Sequence, residues 1–368
     1  MLVTCAMVRS CRSYSNIIRY YMSKNRKIKI EKDIPIYDLA KDFKIEPDLI
    51  KRFNPNIDTY NDRWTNKSGE MVRQSQIIIL PPISVNEFTP NARYRCVQDN
   101  IILIDGQPHF SCETKTQYLL ASNNNYSNMS CVNLEEYINS INPNELKDSF
   151  DLIREIELLK TGIILSSQNA ENTIWDVENM EEVHKHWTHF VENGINSFPF
   201  TKELKKRNPQ TLSELIENGH REFSCSERFI DILKKNLFYH LFFLVKRNTD
   251  ENEHPTIDFQ SQIFPDVKNQ IIISTNRELS KDGQNTKIIL NGVLDRDNIN
   301  EAKLKEMYDE MYKPLIQFAF SEYDIVYRIE YEIDSKNNLV GNANVYIEEM
   351  VKNNYQIISS FDMRKISL

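Results

Sequence analysis

Glycine is scarce in this chain, which contains only 8 glycines among 368 residues, whereas about 7% is usual in proteins. No two of them are spaced as G-x-G, and no G-K-[ST] sequence occurs. Dinucleotide fingerprints and phosphate-binding loops need glycine at those spacings, because their backbone must approach the phosphates closely. The scarcity therefore argues against the usual nicotinamide dehydrogenases and P-loop NTPases, and it excludes collagen-like repeats and glycine-rich linkers.

The remaining composition is that of a globular protein with a sizeable core, with 40% hydrophobic and 27% charged residues. A chain of this length predicts two or three domains. The net charge of −8 argues against general nucleic-acid binding, which needs a basic surface. No stretch reaches the roughly 18 apolar residues of a membrane-spanning helix. The six cysteines include no C-x-x-C pair, so we expect reduced, mostly buried thiols and no zinc site made from paired thiolates.

The N-terminal 30 residues are basic and contain no Asp or Glu. Such a composition is typical of a transit peptide, whereas the apolar segment of a secretory signal is absent. The interpretation we favour is that translation starts at Met22, so that residues 1–21 are a disordered leader or a wrongly assigned start. We expect a protein that stays in the cytoplasm or is exported by a non-classical, contractile route.

Residues 22–83 show the pattern of a small separate module. Residues 27–31 alternate in polarity and predict a strand. One apolar helix face follows, with spacing i, i+3, i+4 and i+7, formed by Ile36, Leu39, Ala40 and Phe43.

A second helix is predicted next. Pro47 suits its start, and its apolar stripe is Leu49, Ile50 and Phe53. Asn54-Pro55 ends that helix, because proline disfavours helix in the residue before it. Residues 76–80 predict a closing strand.

This ordered set resembles the lysin motif (LysM) family. The matching pieces are Asp33, Ile36-Tyr37-Asp38-Leu39-Ala40, Phe43-Lys44-Ile45, Asp48-Leu49-Ile50, Asn54-Pro55, Gly69 to Val72, and Gln76-Ile77-Ile78-Ile79-Leu80-Pro81. The resemblance implies a βααβ unit that binds N-acetylglucosamine polymers, such as peptidoglycan or chitin, in a shallow groove between two loops.

The resemblance also assigns residues to this glycan-binding groove. The first loop is Asp33, Ile34, Pro35 and Ile36, and the second loop is Asn54, Pro55, Asn56 and Ile57. Tyr60 and Trp64 lie in the adjoining loop, where large amphipathic rings are candidates for a stacking surface. The alternative is that the module docks on a protein assembly and has no sugar ligand.

The rest of the chain predicts two further regions. In residues 90–250, Asp105-Gly106 between two β-branched runs indicates a hairpin, an asparagine-rich loop spans 122–130, and helical patterns begin near Pro143, Met180, Thr211 and Ser224. In residues 255–368, five predicted strands are interrupted by one helix at about 300–320. The predicted fold class is therefore α+β: a small βααβ LysM-like module, a mixed helical region, and a C-terminal antiparallel sheet with a packed helix.

Candidate chemical groups are dispersed. An H-x-H-x-x-H pattern of divalent-metal ligand types is formed by His184, His186 and His189. Cys225 at a predicted helix start is a candidate nucleophile, with His220 and His240 nearby in sequence. The acidic candidates for pairing across strands in acid–base chemistry are Asp295, Asp297, Glu330 and Glu332. In each case packing or a solvated surface is the better interpretation, so we predict no catalytic residue, no metal and no cofactor.

Two functional hypotheses follow. The favoured one is a non-enzymatic binding or adaptor protein, anchored through the module on a glycan or on a protein assembly. An accessory part of a bacterial contractile injection (type VI-like) or phage-tail system would be such a protein. The alternative is a peptidoglycan hydrolase or delivered toxin with a C-terminal catalytic domain.

Overall fold

We describe a computed structural model of the protein. It describes residues 22–23, 26–43, 45–61, 70–80, 83–123, 126–167, 175–246, 256–279, 285–334, 336 and 339–368. The predicted leader at 1–21 and the predicted stacking residue Trp64 lie outside the described residues. The chain divides into two compact units, the first ending at Ile83 and the second running from Ser84 to Leu368.

The first unit has two short antiparallel sheets and two helices. Its elements are β1 (Met22–Ser23), β2 (Arg26–Lys29), β3 (Ile34–Pro35), α1 (Ile36–Phe43), α2 (Pro47–Phe53), β4 (Thr59–Asn61), β5 (Glu70–Val72) and β6 (Ile77–Ile79). One sheet has the strand order β1-β2-β6, and the other has the order β3-β5-β4. The second sheet was not expected from the sequence.

The helices of this unit form where the apolar periodicity predicts them. Ile36, Leu39, Ala40 and Phe43 of α1 are all buried in the core of the unit. Helix α2 begins with Pro47, a residue that needs no backbone N–H bond at that position. The expected stripe of α2 is wrong at one residue, because Ile50 is buried whereas Phe53 is 41% exposed.

The second unit contains eleven strands among the described residues. They are β7 (Thr89–Ile104), β8 (Gln107–Asn123), β9 (Tyr126–Asn142), β10 (Ile163–Ser167), β11 (Trp175–Val177), β12 (Thr256–Gln260), β13 (Lys268–Leu279), β14 (Asn285–Leu294), β15 (Tyr323–Asp334), β16 (Leu339–Val351) and β17 (Tyr355–Ile366). The helices are α3 (Lys147–Leu158), α4 (Met180–Asn193), α5 (Pro199–Arg207), α6 (Pro209–Glu222), α7 (Ser226–Leu233), α8 (Leu237–Lys246), α9 (Glu301–Met311) and α10 (Lys313–Ile316).

All eleven strands form one antiparallel sheet with the order β11-β10-β9-β8-β7-β17-β16-β15-β14-β13-β12. Strands β7 to β11 run outward from the middle of the sheet, and β12 to β17 return to it. The two series meet where β17 pairs with β7, from Tyr355 opposite Ile104 to Ile366 opposite Arg93. The hairpin predicted at Asp105-Gly106 is confirmed, since both residues have positive φ and join β7 directly to β8.

One face of the sheet packs against helices. Along β15 the buried residues alternate with more exposed ones, as expected for a sheet with one wet face. The sheet and the helices contribute to the same core. Within it Trp187 of α4 stacks on Phe223 with ring centroids 5.0 Å apart, and Gly219 of α6 lies against the Trp187 ring.

The predicted fold class, a small βααβ LysM-like module followed by a mixed helical region and a C-terminal antiparallel sheet with a packed helix, is wrong, because eleven of the described strands form one large sheet. The large sheet combines strands from residues 89–177 with strands from residues 256–366, although the sequence patterns predict two separate regions there. Part of the asparagine-rich stretch at 122–130 also belongs to β8 and β9 rather than to a long loop. The physical reason is that the pairing of β17 with β7 joins segments far apart in the chain, and local periodicity carries no information about such partners.

Candidate functional site

Core packing, strand pairing and hydrogen bonds hold the first loop of the predicted groove in place against the rest of the module. Ile34 and Ile36 are buried in its core, and Pro35 lies in β3 opposite Met71 of β5. The Asp33 carboxylate accepts a hydrogen bond from the Tyr60 hydroxyl at 2.7 Å and one from the Gln74 amide at 2.8 Å. The loop is therefore a fixed structure, with two of its four predicted groove residues facing inward.

The second loop is fixed through one side chain. Asn54 is buried, and its side-chain amide donates to the Ile50 carbonyl at 2.8 Å and to the Ile79 carbonyl at 2.6 Å. Its side-chain oxygen accepts from the Ile79 amide at 2.7 Å. Asn54 therefore joins the end of α2 to β6. It acts as a structural residue of the loop, and its polar atoms are already satisfied.

The exposed residues of this region surround the two loops. Pro55 and Asn56 are exposed, and Ile57 is half-buried. Two rings that the sequence did not mark as site residues, Tyr37 and Phe53, are 66% and 41% exposed. Tyr37 directly follows the first loop in the chain, and Phe53 directly precedes the second. The exposure of Tyr37 was predictable, because its position in α1 falls outside the buried apolar stripe of that helix. The exposure of Phe53 was not, because its position falls on the apolar stripe expected for α2.

A network of charged groups borders the first loop. The Arg73 guanidinium lies 4.7 Å from the centroid of the Tyr60 ring and 3.1 Å from the Asp58 carboxylate. The hydrogen bond from Tyr60, followed by that from the Gln74 amide, lowers the pKa of Asp33. The Tyr60 ring is thus already engaged by Asp33 and Arg73.

The histidines of the H-x-H-x-x-H pattern do not converge. His186 is exposed, and His189 Nδ1 lies 3.1 Å from the Asn193 side-chain nitrogen. His184 faces His220 of α6 with ring centroids 6.3 Å apart. Among the described residues no group of three or more His, Cys, Asp or Glu side chains is arranged to hold a metal ion.

Cys225 and the acidic residues also lie in structural environments. Cys225 is the half-buried residue immediately before α7. His240 of α8 instead forms a 2.7 Å hydrogen bond with the Tyr327 hydroxyl, and burial lowers its pKa to about 4. Asp295 accepts a bond from the Asp297 amide. Glu330 pairs with Lys287 at 2.6 Å, and Glu332 accepts a bond from Asn342 at 3.4 Å.

One buried acid was missed from the sequence. Glu349 of β16 is 1% exposed and accepts hydrogen bonds from the Ser261 hydroxyl and from the Tyr323 hydroxyl at 2.7 Å. It also accepts from the amides of Gln262 at 2.6 Å and Ile263 at 3.3 Å. Burial raises the pKa of Glu349. These bonds fasten the β12–β13 connection to β16, which is a structural task. The sequence did contain a sign of this burial, because Glu349 lies midway between Ile347 and Val351 on the face of β16 that carries the apolar residues.

None of the described helices has the length and apolar character needed to cross a lipid bilayer. No protein-family model matches the chain, and no curated protein matches it. A solved structure of lipovitellin, described as concerning lipid–protein interactions, aligns with 76% of this chain at 8% identity and a TM-score of 0.37. The alignment spans 26% of the lipovitellin chain, and a TM-score this low supports no inference about fold or ligand.

Proposed function

We propose that this protein is a non-enzymatic binding protein whose N-terminal module, residues 22–83, binds an N-acetylglucosamine polymer of the peptidoglycan or chitin type. The proposal rests on the resemblance of the module to the lysin motif and on the surface around its two loops. Strands β2 and β6 pair, with Ile28 opposite Ile78, and both residues belong to the same core as the buried residues of α1 and α2.

The observation that carries the proposal is the pair of exposed rings beside the two fixed loops. Tyr37 and Phe53 present aromatic surface to solvent at the loop ends of α1 and α2. Rings of this kind combine apolar area with a small loss of side-chain freedom. Because Asp33 and Asn54 already hold the loops, binding needs little ordering of the backbone, and this saving favours affinity.

The test is co-sedimentation of the full chain with insoluble peptidoglycan and, separately, with chitin. We expect saturable retention, and about a tenfold loss of affinity in Tyr37→Ala or Phe53→Ala if each ring is an anchor of the contact. Leu315→Ala is the matched control, since this side chain of α10 is an exposed apolar residue of the second unit. Its retention should equal that of the unaltered chain.

Two results would count against the proposal. If the unaltered chain and all of its variants fail to bind both polymers, glycan binding is excluded. Docking on a protein assembly then becomes the better hypothesis. If the polymers retain the chain but both ring variants and the control bind equally well, the contact lies elsewhere on the protein.

A further inference from the structure

Helices α6 and α7 form the two walls of a surface groove in the second unit. The groove has a volume of about 250 Å³, slightly below the range of about 300–1,000 Å³ found for pockets that hold drug-sized ligands. Its lining residues are Asn218, Arg221 and Glu222 of α6, together with Arg228, Asp231, Ile232 and Lys235 on or directly after α7. A groove of this size fits a small molecule.

The helical spacing explains why these side chains share one groove. The lining residues of α6 are at positions i, i+3 and i+4, and those of α7 are at i, i+3, i+4 and i+7, which places each set on one helix face. The two walls are joined by core packing. Phe223, directly after α6, and Phe229 of α7 are both buried, with ring centroids 5.3 Å apart. The core therefore sets the spacing of the walls.

Positive charge exceeds negative charge in this groove. Arg221, Arg228 and Lys235 supply three cations against two carboxylates. One of these carboxylates, that of Asp231, already lies 3.7 Å from the side-chain nitrogen of Lys234, a residue outside the lining. Within the part of the chain that the structure describes, no hydrogen bond or ion pair engages the charged groups of Arg228 and Lys235. These two cations are available to an anionic ligand.

The types of cation favour a phosphate as the anionic group. Guanidinium groups match the oxygens of a phosphate with paired hydrogen bonds, and the Arg221 guanidinium is already oriented by a bond to the side-chain oxygen of Asn218. A phosphate monoester carries a charge of about −1.5 to −2 at pH 7. Arg228 and Lys235 together neutralise that charge, whereas a ligand with one carboxylate would neutralise only one of them.

The other lining residues indicate what the phosphate is attached to. The carboxylates of Glu222 and Asp231 accept hydrogen bonds, which suits hydroxyl donors, and they disfavour a second anionic group on the ligand. Ile232 is half-buried and offers apolar surface to a carbon skeleton. We propose that the groove between α6 and α7 binds a small phosphorylated polyhydroxy compound, such as a glycerol phosphate or a sugar phosphate. This inference does not depend on glycan binding by the N-terminal module.

The experiment is calorimetric titration of the full chain with glycerol 3-phosphate and with glucose 6-phosphate. We expect saturable binding of at least one of these probes, about tenfold weaker binding of inorganic phosphate, and no binding heat from glycerol or glucose. In Arg228→Gln combined with Lys235→Gln, the affinity for the tighter probe should fall at least about tenfold, because charge-assisted hydrogen bonds to the phosphate are lost.

The control makes the same change of net charge outside the groove. Lys202→Gln combined with Arg207→Gln alters two exposed cations of α5, neither of which lines the groove, and the affinity should stay unchanged. Arg228→Gln and Lys235→Gln as single variants should each give an intermediate loss, which keeps the test informative if the double variant is poorly folded.

Three results would overturn the inference. The first is the absence of saturable binding of both phosphorylated probes. The second is an affinity that the groove variants leave unchanged, or that the control lowers by the same factor, because the contact would then lie elsewhere or depend on net charge alone. The third is binding of inorganic phosphate as tight as that of the phosphorylated probes, which would show that the polyhydroxy part is not recognised.

Discussion

Replacing Glu349 with alanine tests the role of the buried carboxylate in the large sheet. The side chain accepts bonds from two hydroxyls and two backbone amides. Gln262 is exposed to water, which can replace the carboxylate as a partner of its amide. The donors that lose their acceptor are therefore the hydroxyls of Ser261 and Tyr323 and the Ile263 amide, all in buried residues.

The expected loss of stability follows from these three donors. Each buried donor without an acceptor costs about 1–3 kcal/mol, which gives about 3–9 kcal/mol in total. Removing the carboxylate also relieves the cost of burying an ionisable group, so we expect a net loss in Glu349→Ala toward the lower end, about 2–4 kcal/mol. Glu348→Ala on the same strand is the control, because its bonds to Tyr346 and Gln356 lie near the surface. It should cost less than about 1 kcal/mol.

The assay is urea unfolding followed by tryptophan fluorescence, since Trp187 is buried in the core of the second unit. The Glu349→Ala variant should unfold at a clearly lower urea concentration than Glu348→Ala. If the two variants unfold at the same concentration, the hydrogen bonds of Glu349 do not stabilise the sheet and the structural interpretation of this acid is refuted.

Further predictions concern pH and packing. Burial raises the pKa of Glu349 above its usual 4.5, so the folded state binds this proton more tightly than the unfolded state does. Proton binding by Glu349 therefore stabilises the fold fully below pH 4.5, and this stabilisation is lost as the pH rises through the folded-state pKa. Urea unfolding from about pH 4 to about pH 8 should show this loss in the unaltered chain relative to Glu349→Gln, and parallel pH profiles would contradict it. In Gly219→Ala, the new Cβ would lie 2.0 Å from a ring atom of Trp187, so we expect a loss of about 1–3 kcal/mol in urea unfolding. Gly341→Ala, where the nearest atom is 3.9 Å away, should be nearly neutral, and equal effects would refute the packing argument. Asn54→Ala removes three hydrogen bonds and should accelerate backbone hydrogen exchange throughout residues 26–80. Asn56 is exposed, so Asn56→Ala should leave the exchange unchanged. Slow exchange in both variants would contradict the structural role of Asn54.

Local sequence signals predicted much of the secondary structure. The periodicity of Ile36, Leu39, Ala40 and Phe43 identified α1, and proline identified the start of α2. Strand β15 is one of the five strands predicted in residues 255–368, and its buried residues Tyr327, Ile329 and Tyr331 alternate with more exposed ones. These features depend on neighbours within one or two turns, or within one strand, and are therefore readable from the sequence.

The pairing of distant segments could not be predicted. Strand β17 pairs with β7, and this pairing turns two expected regions into one sheet. The β3–β5–β4 sheet was missed because its strands are only two or three residues long, too short for a period-two pattern. Strand partners and register depend on contacts between segments that single-sequence periodicity does not relate.

The candidate site was predicted only in its position along the chain. The resemblance selected the two loops, but the structure gives Ile34, Ile36 and Asn54 buried roles in them. The exposed rings of Tyr37 and Phe53 emerged only from the structure. Sequence patterns indicate which residues belong to an apolar face, whereas the exposure of a residue at the end of a helix depends on the packing of its neighbours.

The most direct test of glycan recognition is calorimetric titration of the full chain with a soluble N-acetylglucosamine oligosaccharide. The unaltered chain should bind it saturably, and Tyr37→Ala combined with Phe53→Ala should abolish the binding heat. The absence of saturable binding by the unaltered chain would contradict the proposed function.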